Sequence, residues 1–148
     1  MIKPILLVED NPNDLELTLT ALSRTGLANE VVVARDGAEA RDYLFRTGPH
    51  QDRFPGNPTV VLLDLKLPKI DGLELLRMIR ENPDTDTVPV VILTSSREDN
   101  DLASGYELGS NAYVVKPVAL GAFFKAIQDL GIFWAVLNET PSASARNT

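Results

Sequence analysis

Five short apolar runs constrain this chain more than any other feature. Ile5 to Val8 precedes Glu9-Asp10, Val60 to Leu63 precedes Asp64, and Val88 to Leu93 precedes Thr94-Ser95-Ser96. Ala112 to Val115 precedes Lys116-Pro117, and Val31 to Ala34 is a shorter fifth run. The runs are rich in β-branched residues and do not alternate with polar ones, the pattern of strands covered on both faces. Helix-like segments lie between them. Asn11-Pro12 supplies a cap and a first-turn proline, after which Leu15, Leu19 and Leu22 recur on one face. Ala38 to Phe45 and Leu73 to Arg80 also read as helices, the second with Leu75, Leu76 and Ile79 inward. Strands alternating with helices imply an α/β fold, a parallel sheet with helices on both sides and right-handed crossovers.

Composition narrows the function. The 148 residues suit one domain, expected over residues 1–137, with Asn138 to Thr148 as a disordered tail because it lacks large apolar residues. Cysteine is absent, which excludes thiol catalysis and cysteine-held zinc or iron–sulfur centres, and the single His50 excludes a histidine-rich metal site. No apolar run approaches ~18 residues. Met1 to Pro4 leaves no room for a signal sequence, so a cytoplasmic location is expected. With 14 Lys+Arg against 21 Asp+Glu and a formal charge of −7, binding DNA through a basic face is disfavoured. Thr47 to Pro58 reads as a long loop, either functional or a tolerated surface insertion. Arg97 to Gly109 is the expected fourth helix, weakened by its Asp, Asn, Ser and Gly residues.

The strands of a parallel sheet end on one edge, where open α/β sheets bind ligands. Glu9, Asp10, Asp64, Thr94 and Lys116 would meet there. Two like charges ~4 Å apart cost about 4 kcal/mol at an effective dielectric of 20, and one lysine neutralises three carboxylates incompletely. A hard divalent cation offsets the repulsion, and Mg²⁺ favours one or two carboxylates, waters and a phosphate. Lys116 and the Thr94 hydroxyl can then hold oxygens of a phosphoryl group. An acidic edge of this kind should take phosphate only together with metal.

These residues, in this order and spacing, resemble the receiver domain of two-component response regulators over roughly residues 3–130. Asp64-Leu65-Lys66-Leu67-Pro68 followed by Asp71-Gly72 is similar to the family's segment around its phosphoacceptor. The resemblance implies a flavodoxin-like doubly wound (βα)5 fold with sheet order 2-1-3-4-5. It implies that Asp64 accepts a phosphoryl group from a histidine kinase. It also implies that Glu9, Asp10, Asp64 and the backbone carbonyl of Lys66 hold Mg²⁺. The family more often has two aspartates at the first position, so Glu9 reaches the cation either directly or through water. Thr94 and Lys116 would bind phosphoryl oxygens, Pro117 would follow a cis bond that aims Lys116, and Tyr113 would be the switch aromatic. Lys66 and Ser96 would tune dephosphorylation, and the surface of the fourth helix, fifth strand and last helix would change on switching.

A narrower resemblance, to stand-alone regulators partnered with phytochrome photoreceptor kinases, is carried by several segments. They are Arg46-Thr47-Gly48-Pro49, Val88 to Ser96, Ala112 to Val118 and Ile132-Phe133-Trp134. On the last helix, Leu120, Phe123, Ile127, Leu130, Trp134 and Leu137 form one stripe. Phe124, Phe133 and Val136 lie outside it, and with Trp134 they are expected to form a homodimer interface. A phosphorelay intermediate or a scaffold receiver serving another kinase is the alternative reading. An Mg-dependent aspartyl-phosphate phosphatase is disfavoured because Lys66 stands where its second acid belongs. A flavin carrier is disfavoured because Glu9-Asp10-Asn11-Pro12 would repel the flavin phosphate.

Overall fold

A computed structural model describes residues 3–24, 29–94, 109, 112–116, 118–119, 121–123 and 125, with Thr94 described in its backbone only. The strands are β1 (Ile5–Val8), β2 (Val31–Ala34), β3 (Val60–Asp64), β4 (Val90–Thr94) and β5 (Ala112–Val115). The helices are α1 (Pro12–Ser23), α2 (Gly37–Phe45) and α3 (Gly72–Glu81). All neighbouring strands pair in parallel, in the order β2-β1-β3-β4-β5. The parallel pairing is the one expected from the five runs, and the order is the doubly wound one that the resemblance implies. β4 starts at Val90 rather than Val88, immediately after Pro89, which has no N–H to give a neighbouring strand.

Alternate residues of the buried strands feed two cores. Ile5, Leu7, Val60, Leu62, Val91, Leu93 and Val114 pack with Leu15 and Leu22 of α1 and with Val118 and Phe123. Leu6, Val8, Val61, Leu63, Val90 and Ile92 pack on the opposite face against α2 and α3. Phe123, only 1% exposed, packs on the sheet as expected for the start of the last helical stripe. Side-chain caps start the helices: Asn11 accepts from the Asn13 and Asp14 amides, Asp36 from Glu39 and Asp71 from Leu73. Arg80 joins the end of α3 to the approaches of β4 and β5, donating to the carbonyls of Val88 (2.7 Å), Asp86 (3.1 Å) and Gly109 (2.8 Å).

The long loop is organised by one side chain. After a single 3-10 turn at Gly48–His50, Arg53 reaches back to α2 and donates to the Tyr43 and Leu44 carbonyls. It also donates to Phe54 O (2.7 Å) and Gly56 O (2.9 Å), and its guanidinium lies 4.3 Å from the centre of the Tyr43 ring. Arg53 thus satisfies carbonyls that a helix C-terminus otherwise leaves to water. Arg53→Ala is expected to cost about 2 kcal/mol. It should also abolish slow amide exchange across residues 47–57. Unchanged exchange in the variant would show that other contacts hold the loop.

Candidate functional site

The acidic edge is assembled by the first and third strand ends and closed by the residue after the fifth. Glu9 follows β1 and is fully buried, Asp10 beside it is exposed, and Asp64 ends β3 with a side chain only 9% exposed. One carboxylate oxygen from each of the three lies within 4.8 Å of the others. Lys116, immediately after β5, donates from Nζ to Glu9 Oε1 (2.9 Å), Asp14 Oδ2 (2.9 Å) and Asp64 Oδ2 (3.0 Å). Its side chain is 7% exposed. The other oxygens are also held: Asp64 Oδ1 accepts from the Lys66 amide (3.2 Å) and Glu9 Oε2 from the Asn11 amide (3.3 Å).

Two glycines permit this geometry. A Cβ on Gly72 would stand 2.4 Å from the Asp64 carbonyl oxygen and 2.6 Å from Leu65 Cα. A Cβ on Gly37 would stand 2.0 Å from the Ile70 carbonyl oxygen. The loop from Leu65 to Asp71 is therefore pinched between the first residues of α2 and α3. Gly72 N donates to Leu65 O (2.9 Å), Gly37 N donates to Pro68 O (3.3 Å), and Lys69 pairs with Asp36 (3.3 Å). These contacts fix the backbone on which Asp64 and the Lys66 carbonyl stand.

Burial first, and then hydrogen bonding with Asp64, pushes the Glu9 carboxyl up to about 7, against the pull of Lys116. Burial acts to lower the Lys116 ammonium, but its bonds to Asp14, Glu9 and Asp64 outweigh this and hold it above its usual value. The cluster still carries more carboxylate than ammonium. Its donor set of hard oxygens on a partly desolvated edge fits a divalent cation of the Mg²⁺ type.

A pH dependence follows for Glu9. Because its folded value lies above the ordinary 4.5, its proton stabilises the fold fully below that value, and this contribution is lost as pH rises through about 7. In thermal melts of metal-free protein, the wild type should lose more stability than Glu9→Gln between pH 5 and pH 8. Added Mg²⁺ should stabilise the wild type more at pH 8 than at pH 6. Identical pH profiles for the two proteins would contradict the assignment.

The sequence-derived candidates are thus brought together at Glu9, Asp10, Asp64 and Lys116. Lys66 stands two residues after Asp64 and donates its amide to that carboxylate. Thr94 ends β4 opposite Val115, one register step beyond the Asp64–Leu93 pair. Tyr113 lies on β5 opposite Ile92 with 36% of its surface exposed. The side chain of Thr94, together with Ser96, Pro117, Phe124, Phe133, Trp134 and Val136, lies outside the described residues, as do most of the expected fourth helix and the tail from Asn138. Asp14 was not expected from the sequence. Its signal is its position in the first turn of the helix that Asn11-Pro12 opens, directly after the acidic pair.

Comparison with known proteins agrees with this geometry. Residues 5–128 match the response regulator receiver domain model. The chain is 38% identical over 141 residues to response regulator Rcp1 of Synechocystis sp., covering 95% of each chain. Among solved structures, it is 60% identical to the bacteriophytochrome response regulator RtBRR, covering 99% of this chain and 88% of that one. It is 65% identical to the bacteriophytochrome response regulator AtBRR, covering 94% and 99%. Both give a TM-score of 0.87. A Mn²⁺-bound form of Rcp1, with TM-score 0.74 and covering 93% and 96%, is 38% identical. Among the described residues no helix is long and apolar enough to cross a membrane. Sheet order, acidic edge and these likenesses lead to one conclusion: the chain belongs to the response regulator receiver domain family.

Proposed function

We propose that residues 1–137 form a receiver that takes a phosphoryl group on Asp64 from a histidine kinase, of the phytochrome type by the chain's likeness to RtBRR and AtBRR. The observation that carries the reading is the meeting of Asp64 with Glu9, Asp10 and Lys116 from three separate strand ends. A carboxylate oxygen of Asp64 attacks the phosphorus of a phosphohistidine. A P–O bond forms, the P–N bond breaks, and the imidazole leaves with the electron pair and takes a proton from water. Lys116 and the Thr94 hydroxyl pair with phosphoryl oxygens. Glu9, Asp10, Asp64 and the Lys66 carbonyl would hold Mg²⁺, which supplies positive charge against the carboxylate and the incoming phosphoryl group.

Thr94 and Tyr113 then change position together, with Pro117 orienting Lys116, and the altered face around β5 selects protein partners. Lys66 and Ser96 govern access of water to the acyl phosphate. The protein is a phosphoacceptor rather than a metabolic enzyme, working in the cytoplasm as a homodimer through Phe124, Phe133, Trp134 and Val136. Sedimentation with and without beryllofluoride tests the dimer, and a monomer in both states would refute it.

The site assignment has its own test. With Mg²⁺ and acetyl phosphate, the intact mass of the wild type should rise by one phosphoryl group, and Asp64→Asn should stay unmodified. Equal labelling of both proteins would refute it.

A further inference from the structure

We propose that Asp14 is a positioning residue for phosphoryl acceptance, holding the Lys116 ammonium over Asp64 from the first turn of α1. The proposal rests on Asp64 as the phosphoacceptor and adds a residue to that site. An ammonium has three N–H donors. Those of Lys116 go to Glu9, Asp14 and Asp64, at 2.9, 2.9 and 3.0 Å. Two of these acceptors have other work in a phosphorylated receiver. Asp64 becomes the acyl phosphate and offers a phosphoryl oxygen in place of its carboxylate, and Glu9 belongs to the oxygen cluster that suits a cation. Asp14 belongs to neither, so its bond to Lys116 can persist through the whole cycle. A lysine has a flexible four-carbon stem, and a second fixed partner restricts where its charge lies.

Local structure directs Asp14 to this task. Asn11 caps α1 and its Oδ1 accepts from the Asp14 amide (3.0 Å), while Pro12 sets the first turn. An acid at the third helical position commonly reaches back to the cap's own N–H. Here Glu9 Oε2 accepts from that Asn11 N–H at 3.3 Å, and the Asp14 carboxylate turns to Lys116. Asp14 is still 31% exposed on its side chain, so its removal leaves no sealed cavity.

An acidic residue in a first turn also favours the helix itself. That role does not depend on Lys116, which separates the two explanations. The rate of phosphoryl acceptance from acetyl phosphate at saturating Mg²⁺ is measured by intact mass for wild type, Asp14→Asn and Asp14→Glu. Beryllofluoride affinity is measured by calorimetry for the same proteins, for Lys116→Met and for the Lys116→Met, Asp14→Asn double variant. Asp14→Asn is expected to slow acceptance and weaken beryllofluoride binding about three- to tenfold, with Mg²⁺ affinity changed far less. Asp14→Glu should restore most of the loss, and Asp14→Asn should add nothing in the Lys116→Met background. An unchanged or faster rate in Asp14→Asn overturns the proposal. So does an equal loss with and without Lys116. Labelling of Asp64→Asn at the wild-type rate would instead overturn the phosphoacceptor assignment beneath it.

Discussion

Lys116→Met is expected to lower the stability of the metal-free protein by about 3 kcal/mol at pH 8, and saturating Mg²⁺ should return most of that loss. Removing one partner of a buried ion pair typically costs about 3–5 kcal/mol, because the other charge stays buried without compensation. Here three carboxylates lose one shared cation. The lower end applies because Asp14 is partly exposed and salt and water screen it. The raised ammonium value of Lys116 makes its contribution complete below its ordinary 10.5, so pH 8 captures all of it. Urea unfolding with and without Mg²⁺ checks this. A deficit of the same size in both conditions would mean that Lys116 and the cation do not neutralise the same carboxylates.

Gly72→Ala is expected to cost about 3 kcal/mol, at the upper end of what overpacking a dense site costs. The added methyl would meet backbone atoms of Asp64 and Leu65 closer than 3 Å, and backbone cannot step aside as a flexible side chain can. The same change should slow phosphoryl acceptance, because relief of the clash moves the backbone carrying Asp64 and the Lys66 carbonyl. Gly121 is the control. It is exposed and helical, and a Cβ there meets nothing within 4 Å among the described residues. Gly121→Ala should therefore be neutral or gain up to about 1 kcal/mol from the better helix propensity of alanine. Equal thermal shifts for the two variants would show that the close packing around Gly72 does not constrain the site.

The sheet was legible because β1, β3 and β4 are buried on both faces, which leaves uninterrupted apolar runs such as Val60 to Leu63. Helix starts were legible where a cap stood beside a proline, as at Asn11-Pro12. Glu9, Asp10, Asp64 and Lys116 could be placed together because strand ends of a parallel sheet share an edge, so topology substitutes for sequence distance. Interactions made by long side chains were not legible. Arg53 reaches carbonyls nine and ten residues earlier, and Arg80 reaches Gly109, through contacts that no periodicity encodes. Thr47 to Pro58 could therefore be read as a loop but not as an arginine-clamped one. Asp14 was missed for a related reason. A helix-start acid has an ordinary local role, and only the packing of α1 beside the end of β5 gives it Lys116 as a partner.

On phosphotransfer the carboxylate at position 64 is expected to become an acyl phosphate. Borohydride reduces an aspartyl phosphate to homoserine, so the modified residue can be located by peptide mass after phosphotransfer from a phytochrome-type histidine kinase in the presence of Mg²⁺. Homoserine is expected at position 64, with unreduced aspartate at positions 10 and 14. Homoserine at position 10 or 14 with Asp64 intact, or a phosphoryl group that survives reduction on a hydroxyl or amine, would contradict it.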